Sequence, residues 1–258
     1  MLSSRALIVD YNGTFVPGYE EIPLAYAFLS KAVREMRFGR ALKLGIPLQL
    51  QCWYLTLAHK LDKVGKVFAE QVLVGEDPEY IRQVIERPDS TLYKLARGLP
   101  KVGRKMDTEP SPMAVYIVDQ ARKKGKKTGV YSASFQQIIE ATLRRYGELD
   151  NFDVVHGNPF LVQDGKIVGV EVRVDFEDKA KGFEDFLESQ GLPTDGSGVI
   201  YIGDDQPDKP VFSKVEHAIV SPTAKDDFRE ECADTFSGQG KLYTPRNWEA
   251  IGRLFGMD

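Results

Sequence analysis

The sequence predicts an α/β fold: a Rossmann-like, doubly wound parallel sheet with an all-helical cap inserted after the first strand. Short apolar strands alternate with amphipathic helices over residues 111–258, a pattern typical of a parallel sheet covered by helices on both faces. One more strand of this kind stands alone at residues 5–10. Between these two regions the apolar residues recur only at helical spacing.

Composition limits the class of protein. The chain has 258 residues, 42% of them hydrophobic, which is enough for one sizeable core and a smaller second one. Its net charge of −4 argues against nucleic-acid binding, because that function needs a surplus of Lys and Arg to displace counterions from phosphates. We therefore expect a small-molecule partner, while the oligomeric state stays open. Cys52 and Cys232 are too few for a disulfide framework, so we expect a reducing compartment and inert core cysteines.

The sequence predicts a cytoplasmic protein without a membrane partner. Asp10 interrupts the N-terminal apolar run after Val9, which leaves no stretch long enough for a signal peptide. The most apolar later segment, residues 45–61, contains glutamines and a lysine and falls short of the uninterrupted span that a bilayer requires. We interpret that segment as a packed helix.

The predicted elements begin with the strand at residues 5–10, whose aliphatic run ends in polar residues. The spacing then changes to i, i+3, i+4, i+7. It predicts helices over 25–36 and 50–68 and shorter helices near 81–85 and 92–99. We predict that residues 16–110 form a helical cap, and that 1–15 and 111–258 together form the α/β core.

The core elements follow in order from Ser111. Ser111 before Pro112, with Gly125 at the far end, predicts a helix with both ends marked. Asp164 and Gly165, between two alternating segments, predict a tight hairpin. The other predicted elements are a strand over 126–134, a helix over 134–147, strands at 153–157 and 198–205, a helix over 178–191 and a last strand at 217–222.

Reactive side chains stand where three of these strands end. Asp10, Ser132 and the pair Asp204 and Asp205 each follow a strand, and ligands of open parallel sheets bind at that edge. Each residue alone also has a structural explanation, since Asp and Ser commonly cap turns and lysines such as Lys179 and Lys181 are usually solvated. Their joint placement favours phosphoryl transfer, with an acid nucleophile, groups that hold phosphoryl oxygens, and acids that hold Mg²⁺.

These residues, taken in order, resemble the four motifs of the haloacid dehalogenase superfamily. The first motif, D-x-D-G-T, is similar to residues 10–14, and the second, a Ser or Thr closing a strand, is similar to Ser132 in "VYSAS". The motif lysine is matched by Lys179 or Lys181, and Lys179 is favoured because Phe183 follows it by one helical turn. The fourth motif, G-D-x-x-x-D, is similar to residues 203–208. The resemblance is strongest to the phosphoserine phosphatase-like branch, which carries its cap between motifs one and two.

The resemblance implies a role for each matched residue. Asp10 would be the nucleophile that forms an aspartyl-phosphate. The phosphoryl oxygens would be bound by Ser132, the adjacent Ala133 and the motif lysine, Lys179 or Lys181. Mg²⁺ would be held by Asp10, the backbone carbonyl of Asn12 and Asp204, with Asp205 or Asp208 holding its water molecules.

Asn12 departs from the motif, because the family's phosphatases carry at that position an Asp that protonates the leaving group and then activates water. An amide does neither near neutral pH. The chain is then a slow or specialised phosphatase, for example one that acts on acyl phosphates or takes a replacement acid such as His156, Tyr19 or a cap residue. Alternatively it binds a phosphorylated ligand without turnover, or the Asn was introduced to trap a complex.

We predict a Mg²⁺-dependent phosphatase-like hydrolase that acts on a small phosphorylated metabolite, because the other phosphate-handling residues are all present. The alternative is a pseudoenzyme that binds a phosphorylated ligand and Mg²⁺. The sequence does not identify the substrate.

Overall fold

The computed structural model describes residues 4–18, 73–87, 108–238 and 240–257. Its main sheet has six strands, all parallel, in the order β3-β2-β1-β6-β7-β8, and β4 and β5 form a separate antiparallel hairpin. The strands are β1 Ala6–Val9, β2 Lys127–Phe135, β3 Val154–Asn158, β4 Phe160–Gln163, β5 Lys166–Val170, β6 Val199–Gly203, β7 His217–Val220 and β8 Leu242–Tyr243.

The α-helices in the described ranges cover both faces of the sheet. They are α1 Pro78–Glu86, α2 Pro112–Lys123, α3 Gln136–Tyr146, α4 Phe183–Ser189, α5 Lys209–Phe212, α6 Asp226–Thr235 and α7 Trp248–Leu254. Alternate residues of β1 point to opposite faces. Ile8 lies in a core with residues of α4, α5 and α6, and Leu7 lies in a second core with residues of α2, α3 and α7. The doubly wound parallel α/β fold that the sequence predicts is therefore confirmed.

Helices α5, α6 and α7 were not predicted from the sequence, and two predicted elements differ from the expectation. The strand at 217–222 is not the last one, since β8 pairs with β7 in parallel through Leu242 and Tyr243. A strand of two residues is too short to produce a recognisable alternation of apolar and polar residues. Helix α4 begins at Phe183 instead of residue 178, because Gly182 precedes it in the left-handed region at φ +84°.

Part of the predicted cap is described. The Ser111 N–H donates to the Phe15 carbonyl at 3.4 Å, so the chain leaves and rejoins the core side by side. Helix α1 confirms the helix predicted near 81–85, and Ile81 and Ile85 pack in one apolar cluster with Ile138 of α3. The helices predicted at 25–36, 50–68 and 92–99 lie outside the described residues. The division into a core and a cap stays a prediction.

Two smaller expectations concern the cysteines and the membrane. Cys232 is buried and free, and burial raises the pKa of its thiol to about 11, which fits an inert core residue. Cys52 and segment 45–61 lie outside the described residues. Within the four described ranges, no helix has the length and hydropathy needed to cross a bilayer.

Candidate active site

The register of the central strands places the reactive side chains at one edge of the sheet. Val9 of β1 lies opposite Val130 of β2 and opposite Ile202 of β6. Asp10 follows Val9 directly, and Ser132 and Asp204 each come two residues after the partners of Val9. The Asp10 N–H still donates to the Ile202 carbonyl at 2.8 Å, which fixes Asp10 beside β6.

Three carboxylates converge at this edge. Asp10, Asp204 and Asp208 each offer an oxygen, and these oxygens all lie within 4.8 Å of one another. The Lys179 ammonium lies between two of the acids, 2.8 Å from Asp10 Oδ1 and 2.7 Å from Asp208 Oδ1. Lys179 is only 3% exposed, whereas Lys181 is exposed. Of the two candidate lysines, the fold therefore brings Lys179 to the acids.

The turn after β1 joins Asp10 to the fourth motif. The Thr14 hydroxyl donates to Asp204 Oδ1 at 2.6 Å, across 190 residues of sequence. Gly13 adopts φ +78°, and a Cβ at this position would lie 2.3 Å from Asp204 Oδ2. The turn thus needs glycine for two reasons, its left-handed backbone and its close approach to an acid of the site.

We expect Gly13→Ala to damage the site well beyond the cost of its backbone conformation. A left-handed alanine costs about 1–2 kcal/mol, and the added methyl group must also displace the Asp204 carboxylate. Gly125→Ala is the matched control, since Gly125 has φ +74° and no atom within 4 Å of an added Cβ. Chemical denaturation and Mg²⁺ titration calorimetry would measure both effects. Equal losses of stability, with equal Mg²⁺ affinity, would contradict the close approach to Asp204.

Asp208 organises the loop that follows β6. Its Oδ1 accepts from Lys179 Nζ and from the Tyr201 hydroxyl, both at 2.7 Å. Its Oδ2 accepts from the backbone N–H groups of Asp204 at 2.9 Å and Asp205 at 3.2 Å. The Asp205 side chain instead caps the 3₁₀ turn Gln206–Asp208 by accepting from the Gln206 N–H. A side chain at Gly203 would collide with Asp208, since its Cβ would lie 2.4 Å from Asp208 Cγ.

The carboxyl groups of the cluster outnumber the positive charges beside them. Burial raises the pKa of Asp10 to about 6, although the Lys179 ammonium opposes this shift. Burial and the Asp10 carboxylate raise the pKa of Asp204 well above its usual range. Burial lowers the pKa of Lys179, but Asp10 and Asp208 outweigh it and the net shift is upward. One ammonium thus lies beside a cluster of three acids, of which Asp10 and Asp208 are buried and Asp204 is half-buried, and these hard oxygen donors suit a divalent cation such as Mg²⁺.

The remaining candidate residues are placed as follows. Ser132 is buried within β2 and does not end that strand as predicted, although the regular pairing of β2 with β3 is interrupted after Tyr131. Its Oγ accepts a long 3.4 Å hydrogen bond from the Ser134 N–H. Ala133 is partly buried, and its carbonyl accepts from the Asn158 side chain at 2.8 Å. Asn12, two residues after Asp10, is half-buried, and its Oδ1 is a buried acceptor with no hydrogen-bond partner among the described residues.

Of the two named replacement acids, His156 lies within the described residues. The His156 ring stacks on the Tyr131 ring with centroids 5.5 Å apart, and burial lowers its pKa. These contacts give His156 a packing role in the aromatic core. Tyr19 lies outside the described residues.

Three hydrogen bonds around the cluster were not predicted from the sequence. Thr14, which donates to Asp204, is part of the first motif, but the motif does not indicate this bond. Tyr201 donates to Asp208 and Tyr131 donates to the Lys179 carbonyl, and both tyrosines occupy positions typical of any buried strand. An alternation of aliphatic residues broken by Tyr in "VIYIG" is the one available signal for Tyr201.

Known proteins are similar to this chain in sequence pattern and in fold. The model of haloacid dehalogenase-like hydrolases matches residues 10–213, which span the cluster from Asp10 to Asp208. The chain belongs to the haloacid dehalogenase-like hydrolase family. The family predicted from the motifs is thus confirmed. Curated protein sequences give no significant match to this haloacid dehalogenase-like chain.

Solved structures show the same fold at low sequence identity. A substrate-bound phosphoserine phosphatase is 15% identical, with a TM-score of 0.61 over 100% of both chains. A phospho-aspartyl intermediate analogue of phosphoserine phosphatase is 16% identical, with a TM-score of 0.59 over 100% of both chains. A protein of unknown function from Bordetella pertussis Tohama I is 15% identical, with a TM-score of 0.65 over 95% of this chain and 100% of that one. This haloacid dehalogenase-like chain therefore has the fold of the phosphoserine phosphatase branch.

Proposed function

We propose that this hydrolase is a Mg²⁺-dependent phosphatase that acts on a small phosphorylated metabolite through an aspartyl-phosphate on Asp10. One observation supports this most directly: the buried Asp10 carboxylate lies 2.8 Å from a buried ammonium and within 4.8 Å of oxygens of two further acids. A carboxylate nucleophile needs such positive charge beside it to meet an anionic phosphate.

The residues present fit a divalent cation. We propose Asp10, Asp204 and the backbone carbonyl of Asn12 as its ligands, because the Asn side chain leaves that carbonyl intact. Asp208 already accepts from four donors, so we propose Asp205 for the metal's water molecules and Asp208 for holding the loop and Lys179. When bound, the cation neutralises charge on the phosphoryl oxygens and on the acids.

The side chains of this protein would carry the reaction in two steps. In the first, a carboxylate oxygen of Asp10 forms a bond to phosphorus while the bond from phosphorus to the leaving oxygen breaks. In the second, water attacks phosphorus, the bond to Asp10 breaks, and inorganic phosphate is released. Lys179, Ser132 and the adjacent Ala133 would hold the phosphoryl oxygens, and the exposed Lys181 would have at most a peripheral part.

Asn12 would limit the rate of this reaction. With an amide at this position, the leaving group departs without a proton from Asn12, and water attacks without a base there. We therefore propose a slow or specialised enzyme, with acyl phosphates favoured because their leaving carboxylates need no proton. The alternative is a pseudoenzyme that binds a phosphorylated ligand and Mg²⁺ without turnover. A cytoplasmic location stays a prediction.

Turnover distinguishes these two functions. The wild type, Asp10→Asn and Asn12→Asp would be assayed for phosphate release from p-nitrophenyl phosphate and acetyl phosphate with Mg²⁺. We expect wild-type turnover that Asp10→Asn abolishes, since an amide cannot attack phosphorus. If all three proteins fail to release phosphate while wild type binds phosphate, the pseudoenzyme is supported. Activity that survives Asp10→Asn would overturn the proposed nucleophile.

We expect Mg²⁺ binding to weaken as the pH falls through 6. The folded, metal-free protein holds protons on Asp10 more tightly than the unfolded chain does, because burial raises the pKa of Asp10 from 3.8 to about 6. Its stability therefore falls as the pH rises from about 4 to about 6. Mg²⁺ competes with these protons, so its affinity should be about tenfold lower at pH 5 than at pH 7.5.

Calorimetric Mg²⁺ titrations at the two pH values would measure this change. Asp204→Asn is the companion variant, since it removes a proposed ligand while its amide oxygen still accepts from Thr14. It should lose Mg²⁺ binding and gain stability without metal. An affinity equal at pH 5 and 7.5 would contradict the buried, protonatable Asp10.

A further inference from the structure

Two buried tyrosine hydroxyls lie directly behind the lysine of the site. The Tyr201 hydroxyl donates to Asp208 Oδ1 at 2.7 Å, and the Tyr131 hydroxyl donates to the Lys179 carbonyl at 2.9 Å. Both tyrosines have no exposed surface. One hydroxyl thus contacts the acid that pairs with the Lys179 ammonium, and the other contacts the main chain of the same lysine.

The rings of these tyrosines are packed as phenylalanine would be. The Tyr201 ring lies 5.8 Å from the Phe183 ring and 6.0 Å from the Phe212 ring, in edge-on contacts. The Tyr131 ring lies 5.0 Å from both Phe183 and Phe186. The packing of the aromatic core therefore depends on the rings of Tyr131 and Tyr201 and not on their hydroxyl groups. Because burying a hydroxyl costs free energy unless it finds a partner, the two hydroxyls are explained by the bonds they make.

Lys179 is held from two directions by these bonds. Its ammonium lies 2.7 Å from Asp208 Oδ1 and 2.8 Å from Asp10 Oδ1, so the two acids compete for one cation. The Tyr201 hydroxyl and the Lys179 ammonium both donate to Asp208 Oδ1, so the hydroxyl weakens the attraction between that oxygen and the ammonium. Without this hydroxyl, Asp208 would draw the ammonium away from Asp10 and from a phosphate bound there.

We propose that Tyr201 and Tyr131 are positioning residues that fix the Lys179 ammonium for binding a phosphoryl group. Tyr201 acts through Asp208, and Tyr131 acts through the backbone of Lys179. This inference rests on the proposed function, because it takes Lys179 as a ligand of the phosphoryl oxygens. Neither hydroxyl contacts a proposed metal ligand directly, so we expect their loss to affect phosphate affinity more than metal affinity.

The test compares the affinity for inorganic phosphate in the presence of Mg²⁺. Tyr201→Phe and Tyr131→Phe should each weaken phosphate binding about 3- to 10-fold, the effect of one lost hydrogen bond, and the double variant should weaken it further. Mg²⁺ affinity measured alone should change less than the phosphate affinity does. With p-nitrophenyl phosphate, we expect a higher KM together with a lower kcat.

Phe212→Leu is the matched packing control. It removes a ring that contacts Tyr201 and leaves the bond from Tyr201 to Asp208 in place. It should lower the unfolding midpoint and keep the phosphate affinity. If Tyr201→Phe and Tyr131→Phe bind phosphate as wild type does, or if Phe212→Leu loses the same affinity, the positioning role is overturned and a packing role stands.

Lys179→Met separates this inference from the proposed function. If Lys179→Met loses phosphate affinity and both tyrosine variants keep it, the tyrosine inference fails and the proposed function stands. If Lys179→Met binds phosphate as wild type does, or if wild type binds none, both fail. Circular dichroism of each variant would confirm that it is folded.

Discussion

Replacing Asn12 with Asp should raise the rate of alkyl phosphomonoester hydrolysis by about 10²–10⁴-fold, the usual contribution of a positioned general acid or base. The carboxyl group would protonate the departing alkoxide and then take a proton from the attacking water. Mg²⁺ binding should persist, since the proposed ligand at this position is the backbone carbonyl. Phosphate release from β-glycerophosphate, followed with both proteins at saturating Mg²⁺, would measure the gain.

The leaving group offers an internal check on this prediction. p-Nitrophenolate leaves without a proton, so with p-nitrophenyl phosphate the variant should gain mainly in the second step. The wild type should then release a burst of p-nitrophenol close to the enzyme concentration, because the aspartyl-phosphate on Asp10 forms faster than water removes it. Asn12→Asp should show no burst.

Asn12→Ala is the control for this change, because it removes the amide without supplying a carboxyl group. It should not exceed the wild-type rate. If Asn12→Asp gives no gain on either substrate, Asn12 is not the residue that limits turnover. A wild-type rate on alkyl phosphates already equal to that of Asn12→Asp would instead indicate a replacement acid.

Lys179→Met should destabilise the metal-free protein by about 3–5 kcal/mol, since removing one partner of a buried ion pair leaves uncompensated charge. The buried acids Asp10 and Asp208 would then face each other without the ammonium that lies between them. For a chain of this size, the loss corresponds to an unfolding midpoint lower by roughly 6–20 °C. Phosphate affinity and turnover should fall with it.

The dependence on pH identifies the cause of this loss. Lys179 lowers the pKa of Asp10 in the wild type, so its removal moves that pKa above about 6 and favours the protonated acid. The destabilisation should therefore be largest at pH 8 and smaller at pH 5, where Asp10 is neutral. Added Mg²⁺ should restore part of the stability at pH 8, because the cation replaces the missing positive charge.

Lys181→Met is the matched control, two residues away on an exposed position. It should change stability by less than about 0.5 kcal/mol, as surface substitutions usually do. Equal effects of Lys179→Met and Lys181→Met, measured by thermal unfolding at both pH values, would contradict the buried position of Lys179.

Some of these features follow from sequence because their signals are local. The run before Asp10, the alternation around Asp164 and Gly165, and the markers at Ser111 and Gly125 each encode one element within about fifteen residues. Strand ends of a parallel sheet share one edge whatever the details of packing, so the sequence could predict that Asp10, Ser132 and Asp204 lie at one edge. The departure at Asn12 was also visible, because it lies inside a short motif.

Other features depend on contacts between distant segments. The choice between Lys179 and Lys181 was settled by burial, because both lysines lie in one charged stretch and only the fold decides which of them reaches the acids. The bond from Thr14 to Asp204 joins residues 190 positions apart. The two-residue strand β8 exists only because β7 is there to pair with it.

The sequence by itself thus determined the family and the parallel sheet, and it predicted the candidate site residues, because motifs and periodicity are encoded in neighbouring residues. Only the tertiary structure decided how those side chains share charge. It placed one ammonium between Asp10 and Asp208 and put the Tyr201 hydroxyl behind Asp208. These contacts are set by packing across the sheet, and no local pattern encodes them.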